Sequence, residues 1–186
     1  MHNNAVFRAK DVIGAIDLRG VKKALDLGGG PGTYSRELSR KGIAVTLFDL
    51  PNTVEIAREI MAGPKAANIE FLSGDFHADD IGGGYDLVFV SQIFHSYSAD
   101  DNRVLLAKAR NALNPKGKIA VQEFLLGKDR ARPIPGALFS VNMLVNTTSG
   151  RCYTQQEMKQ WFAQTGFKGI KSTILGDTVV LTARKG

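Results

Sequence analysis

Cysteine is nearly absent from this chain. Cys152 is the only one in 186 residues, so an internal disulfide is excluded and a reducing compartment is implied. Long hydrophobic runs are missing too. No apolar stretch approaches the roughly 20 residues that a membrane-spanning helix needs. The opening stretch, MHNNAVFRAKD, has no apolar core of the kind a secretory signal carries. These absences predict a cytoplasmic protein with no membrane partner. Internal repeats and low-complexity tracts are also lacking, and the length suits one domain over residues 1–186 with a sizeable core. Acidic residues are outnumbered: the net charge is +6 and the pI about 9.5. A nucleic-acid partner would account for such a balance. However, the basic residues are scattered, with small concentrations at residues 116–118, 128–132 and 184–185, and no basic stripe interleaved with aromatics occurs. A solvated basic surface is the better reading.

What is present is one organising stretch, LDLGGGPG, residues 25–32. A short run ending in apolar residues (22–27) meets four glycines and a proline, and a helical segment follows. That is strand, tight loop, helix. Glycines let the backbone turn sharply and bring amide N–H groups close to a ligand. The helix start adds unpaired N–H groups and partial positive charge. Turns of this kind bind nucleotide-like cofactors. Gly28, Gly30 and Gly32 give G-x-G-x-G, while the dinucleotide fingerprint is G-x-G-x-x-G; Thr33 stands where its last glycine belongs. The Gly-Lys-Ser/Thr of a phosphate-binding loop is absent. Asp26, two residues before the first glycine, would repel a pyrophosphate but suits a ligand carrying an ammonium and a sulfonium. The stretch resembles motif I of the class I S-adenosylmethionine (SAM)-dependent methyltransferases.

Taken in order, residues 4–18 show helical apolar spacing at Val6, Ala9, Val12, Ile13 and Ile16, stopped by Gly20. A helix is predicted over 31–41 and a buried strand over 43–48. Pro51 opens a helix over 52–61, broken by Gly63–Pro64. Strands follow at 69–72 and 85–91. Residues 99–113 form a helix with Val104, Leu105, Ala109 and Leu113 inward, then a turn at 114–117 and a strand over 117–126. The alternation stops there. A loop at 127–136, a helix over 137–145 and a second loop lead to Thr154, which with Glu157 makes a capping box. That helix runs to about 164. Strands at 167–175 and 178–183, joined by Gly176-Asp177, make a hairpin. Alternating strands and helices imply an α/β fold: a Rossmann-like, seven-stranded, mostly parallel sheet with an antiparallel terminal hairpin and helices on both faces. Ligands in such sheets bind at the carboxyl ends of the strands where the order reverses, so the glycine loop and the end of the fourth strand should face each other.

Asp49 ends the second strand in FDLPN, with Leu50 beside it. A carboxylate there can accept both ribose hydroxyls of a cofactor held by the glycine loop. Asp75 and Phe76 follow the third strand in SGDF; the acid can accept an adenine amino group and the ring can stack on the base. His95 lies just past the fourth strand in VSQIFHSY. Imidazole is the side chain that exchanges a proton near neutral pH. Methyl transfer from SAM is an in-line displacement at carbon, and a phenol or enol becomes a better nucleophile as its proton is removed. Glu123, ending the fifth strand in VQEFLL, is close enough to orient the imidazole. His2 and His77 have no such context.

These stretches, with NPKGKIAVQE and MLVNTTSGRCYT, stand in the order found in plant-type O-methyltransferases, a family that includes caffeate and hydroxyindole enzymes and bacterial polyketide and pigment relatives. The resemblance covers nearly the whole chain. It implies His95 as catalytic base with Glu123 as its partner, and Gly28, Asp49, Asp75 and Phe76 as SAM contacts. It implies O-methylation of a small phenolic or enolic hydroxyl. Three positions depart from the pattern: Ser96 where an Asp usually follows the histidine, Ser91 where a basic residue is frequent four positions earlier, and Cys152 where a second supporting Glu is expected. Ser91 is retained among the cofactor contacts, and no metal site is expected. The helical N-terminal domain through which the family dimerises is absent from the sequence, so the chain is expected to be a fragment or a minimal catalytic domain. Its flanking helical stretches, residues 4–18 and 137–145, are expected to expose apolar faces suited to a homodimer.

Alternatives leave other marks. Amino-methylating nucleic-acid enzymes, RNA methyltransferases included, carry an Asn/Asp-Pro-Pro-aromatic motif where this chain reads Ser91-Gln92-Ile93-Phe94. Metal-dependent catechol-type enzymes need an acid cluster that Ser91 and Gln122 do not supply. A non-catalytic SAM-binding module, or a fragment that needs a partner domain, would keep Asp26, the glycines and Asp49 while tolerating changes on the acceptor side, and it stays open.

Overall fold

A computed structural model describes residues 2–62 and 68–186, with the side chains of the first helix described from residue 8 onward. Five strands run parallel: β1 (Lys23–Leu27), β2 (Ala44–Asp49), β3 (Ile69–Ser73), β4 (Tyr85–Ser91) and β5 (Leu113–Phe124). Two more, β6 (Phe167–Leu175) and β7 (Thr178–Lys185), form the predicted hairpin, with β7 antiparallel to β5 and β6. The sheet order is β3-β2-β1-β4-β5-β7-β6. The order reverses between β1 and β4, where the glycine loop was expected to face the end of the fourth strand.

Among the described residues there are six α-helices, α1 (His2–Gly14), α2 (Thr33–Ser39), α3 (Pro51–Ile60), α4 (Ala99–Ala112), α5 (Ile134–Asn146) and α6 (Gln155–Gln164); all but α5 pack on the sheet faces. The near-continuous apolar strands are what burial on both faces demands. Leu25, Val88 and Val121 pack on one side against Leu105 and Leu106 of α4 and Trp161 and Phe162 of α6. On the other side Leu87, Phe89 and Ala120 pack against Val12 and Ile13 of α1 and Leu38 of α2. Leu47 is covered by Val54 and Ala57 of α3 and by Met61. Truncating one of the wholly buried rings, such as Phe89, to Ala would cost ~3–5 kcal/mol.

Several expectations are corrected. Among the described side chains, the apolar positions of the first helical stretch are not exposed: Ala9, Val12 and Ile13 of α1, and Ile16 just after it, are in the core, because α1 lies on the sheet beside α2. The side chain of Val6 and the Gly63–Pro64 break fall outside the described residues. In α4 Val104 is 62% exposed, and Leu106 takes its place. The phase is set by Asn102, which is buried and donates to the carbonyls of Phe94 and Tyr97. Leu113 is not helical: its backbone turns extended and it pairs with Tyr85 as the first residue of β5. Residues 114–117, read as a turn, form an irregularity inside that strand, with Lys116 at φ 63°. The helix predicted over 31–41 is shorter, since Gly32 caps it at φ 80°. Both α4 and α6 start with complete capping boxes, Ser98 with Asp101 and Thr154 with Glu157.

Candidate active site

The glycine loop turns where β1 leaves the sheet. Gly28 sits at φ +71°, and a Cβ there would lie 2.4 Å from Cδ1 of Ile93, just past β4. Only glycine allows that approach between the loop and the β4 end. Gly30, at φ +53°, opens onto free space instead. The loop amides are not left for a ligand as the sequence suggested. Gly28 and Gly29 donate to the Phe48 carbonyl, Gly30 to Asp49 Oδ2 at 2.8 Å, and Gly32 to the Gly29 carbonyl. Parallel pairing of Leu27 with Phe48 brings that carbonyl to the loop. Gly32 is buried beneath Met61 and Leu47 and shapes the loop from behind.

Asp26 is buried at 1% exposure. Its Oδ2 accepts from Ser35 Oγ at 2.6 Å, while Oδ1 has no hydrogen-bond partner. Burial pushes its carboxyl up to about 6; hydrogen bonds from Ser35 pull the other way, and the Asp49 charge adds a smaller upward push. The carboxylate lies behind the loop, since a Cβ on Gly29 would be 3.1 Å from its Cγ. Asp49, half-buried at the end of β2, accepts from the Leu50 amide on Oδ1 and from Gly30 on Oδ2, both at 2.8 Å. Leu50 is 53% exposed beside it. Asp75 accepts from the His77 amide, and Asp79 closes the same turn on the Asp75 amide. Phe76 is buried, 5.5 Å from Tyr97 edge-on and 4.7 Å from the His77 ring. Burial first, then the charges of Asp75, Asp49 and Asp101, hold the Tyr97 phenol above its ordinary range. His77, which sequence context left aside, packs its ring on Tyr97 at 4.5 Å.

His95 and Glu123 come together as expected. His95 Nδ1 lies 2.8 Å from Glu123 Oε2, and the Phe94 amide donates to Glu123 Oε1 at 2.7 Å. The short 3-10 turn that carries the histidine, Phe94–Ser96, is held from several sides: by Asn102 as above, by Tyr153, whose hydroxyl donates to the Tyr97 carbonyl at 2.6 Å, and by Gly150 packed against the His95 carbonyl. His95 is 1% exposed, because Phe139 of α5 stands edge-on over its ring at 4.9 Å. Cys152 is buried; burial pushes its thiol up to about 12 and the Glu123 charge adds to the shift, so it is a neutral neighbour where an acid was expected.

Between the glycine loop and the ends of β4, β5 and β7 lies a cavity of about 220 Å³, mostly apolar. Gly28, Gly30 and Ser91 line it; Asp49, Asp75, Phe76 and His95 do not. Phe124 forms part of its wall, with its ring 6.2 Å from that of His95. Ser91 Oγ donates to Gln122 Oε1 at 2.6 Å, and Tyr34 lines the same cavity. Gln92, at φ 59°, carries a buried Oε1 with no partner. Sequence reasoning missed Arg8, Tyr34, Gln122 and Asp177 on this wall. Gln122 could have been found by strand alternation, since it shares a face with Ala120. Asp177 gave no local signal beyond a hairpin turn.

An open sheet of this order, with a glycine-rich first loop and acids after β2 and β3, defines the class I methyltransferase fold. Residues 1–168 match the family of O-methyltransferase domains, and the chain belongs to that family. It is 35% identical over 167 residues to a 3-hydroxy-5-methyl-1-naphthoate 3-O-methyltransferase of Streptomyces sahachiroi, a match covering 88% of this chain and 48% of that protein. It is 35% identical over 164 residues to an acetylserotonin O-methyltransferase of Gallus gallus, covering 87% and 47%. The crystal structure of human N-acetylserotonin methyltransferase in complex with SAM superposes with a TM-score of 0.88 at 31% identity, covering 96% of this chain and 52% of that one. The chain spans about half the length of these relatives.

Proposed function

We propose that this chain is the cofactor-binding and catalytic half of a SAM-dependent O-methyltransferase that acts on a hydroxyl of a small phenolic or enolic molecule. The observation that carries the reading is the buried His95–Glu123 pair at 2.8 Å, held at the end of β4 beside a glycine loop. The residues present fit SAM. Asp49 keeps lone pairs free for ribose hydroxyls, with Leu50 alongside. Asp75, Phe76 and Tyr97 offer an acid and aromatic faces for adenine. Gly28, Gly30 and Ser91 shape the wall near the amino-acid end. Behind the loop, the partnerless Oδ1 of Asp26 adds negative charge under a cation.

SAM supplies an electrophilic methyl on a sulfonium, which leaves as a neutral thioether. The protein's part is the proton. Glu123, as carboxylate, accepts the Nδ1 hydrogen of His95, which leaves Nε2 bare as the acceptor. Nε2 takes the hydroxyl proton as the acceptor oxygen bonds to the methyl carbon, and Glu123 stabilises the imidazolium that results. Phe139 must swing from the histidine for the hydroxyl to approach. The test is methyl incorporation into a panel of phenols and naphthols. His95→Ala should lower turnover by roughly 10²–10⁴-fold, the range for a general base, with S-adenosylhomocysteine affinity unchanged. Unaltered turnover would remove the base assignment.

A second reading, a SAM-binding module without transfer, draws on the burial of His95 and on the neutral Cys152 beside Glu123. Tight S-adenosylhomocysteine binding with no methyl incorporation across the panel would select it. Either way, the exposed apolar face of α5 supports a homodimer or another apolar partner surface.

A further inference from the structure

The 220 Å³ cavity has one cationic and one anionic side chain among its described lining residues, and they are paired. Arg8 of α1 forms an ion pair with Asp177 in the turn between β6 and β7. The two come from opposite ends of the sequence and are only partly exposed, at 41% and 29% of their side chains. The rest of the wall is apolar or neutral. Ser91, at the end of β4, brings no charge and donates its hydroxyl proton to Gln122. The glycine loop forms another part of the same wall.

We propose that this ion pair is a reader of the α-amino-acid end of the cofactor: Arg8 takes the α-carboxylate and Asp177 takes the α-ammonium. The inference rests on the reading of the site given above. Its logic is exchange of partners. A lone anion reaching Arg8 would strip Asp177 of its counter-charge and leave a carboxylate unpaired in a partly buried site, which is costly. A zwitterion satisfies both groups at once, and no net charge enters the cavity. Guanidinium offers carboxylate two parallel N–H donors, a geometry that an ammonium side chain lacks. The cavity wall already contains the turn of Gly28 to Gly30, and Gly30 is hydrogen-bonded to Asp49, so a ligand whose ribose lies at Asp49 can lay its other end in this cavity.

The test is calorimetry with four ligands: S-adenosylhomocysteine, its decarboxylated analogue, its deaminated analogue, and 5′-methylthioadenosine, which lacks the whole amino-acid end. Wild type should bind S-adenosylhomocysteine ~10–100-fold more tightly than either single analogue, the range for a charge-assisted pair. Arg8→Gln should abolish the gap between S-adenosylhomocysteine and the decarboxylated form. Asp177→Asn should abolish the gap to the deaminated form. Neither substitution should change the affinity for methylthioadenosine, and Arg8→Lys should restore part of the carboxylate gap. If the pair is only a strap between α1 and the hairpin, Arg8→Gln will weaken all four ligands equally, and the inference is overturned. It is likewise overturned if S-adenosylhomocysteine is unaffected while a carboxylated acceptor such as 3-hydroxybenzoate loses binding, since the carboxylate read is then the acceptor's. Wild type that binds methylthioadenosine but shows no gaps sinks this inference alone. Wild type that binds none of the four sinks the site reading with it.

Discussion

Asp26→Asn should change how stability depends on pH, by an amount the structure sets. The Asp26 carboxyl is wholly buried, and burial raises it from 3.8 to about 6. The folded state therefore binds more protons than the unfolded chain between about pH 4 and pH 6. Stability contributed by this group is present below 3.8 and lost as pH rises through about 6. Folding with the group ionised costs about 3 kcal/mol more than folding with it neutral. Asparagine is nearly isosteric and does not titrate. Its own offset, from presenting an amide to Ser35 and to the vacant side of the carboxylate, is constant with pH. The stability difference between variant and wild type should thus shift by about 2 kcal/mol in favour of the variant from pH 4 to pH 7. Urea unfolding followed by circular dichroism at half-unit pH steps measures it. Asp86 and Glu157, where burial pushes upward but hydrogen bonds and nearby cations together outweigh it and hold the carboxyls below their ordinary range, slope the other way but cancel in the difference. Curves that run parallel across the window would refute the buried-charge account of Asp26.

Three further outcomes follow from particular contacts. Gly28→Ala puts a methyl 2.4 Å from Ile93 Cδ1 at a positive φ, so it should destabilise by ~1–3 kcal/mol and weaken S-adenosylhomocysteine binding; denaturant melts and calorimetry measure both. Phe139→Ala removes the ring over His95, so carbethoxylation of His95, followed by peptide mass spectrometry, should speed at least several-fold; an unchanged rate would mean that α5 does not shield the imidazole. Helix α5 exposes Ile134, Leu138, Val141, Leu144 and Val145, each more than half. Wild type should self-associate at high concentration in sedimentation velocity, and Leu138→Lys should shift it towards monomer.

The sheet and its helices were legible because the signals were local and repeated: continuous apolar strands, glycine and proline stops, and the capping box at Thr154. The pairing of His95 with Glu123 was legible for a topological reason. Strands β4 and β5 are neighbours in register, Ser91 opposite Gln122, so residues just beyond their ends must meet. What escaped were facts that depend on the third dimension alone. The α1 face was read as exposed because no sequence rule says that this helix lies over Phe89. Val104 was turned outward by the ties of Asn102 to the preceding loop. The use of the glycine amides depends on where the Phe48 carbonyl falls, and the charge pair across the cavity joins residues 169 positions apart in sequence.

The separation of roles along the sheet edge has a physical basis. The glycine loop depends on β2 for its amide acceptors: Phe48 takes two and Asp49 one. The histidine turn depends on β5 and α4: Glu123 takes the Phe94 amide, and Asn102 binds the Phe94 and Tyr97 carbonyls. The two halves meet where Ile93 fills the space a side chain at Gly28 would need. A change that loosens the histidine turn can therefore leave the glycine loop in place, because the loop's hydrogen bonds run to the other neighbour of β1. That independence means a change around His95 and Cys152 need not disturb the hydrogen bonds of Gly28 or Asp49. Under the proposed function, S-adenosylhomocysteine affinity and methyl transfer should therefore respond separately to changes on the two sides.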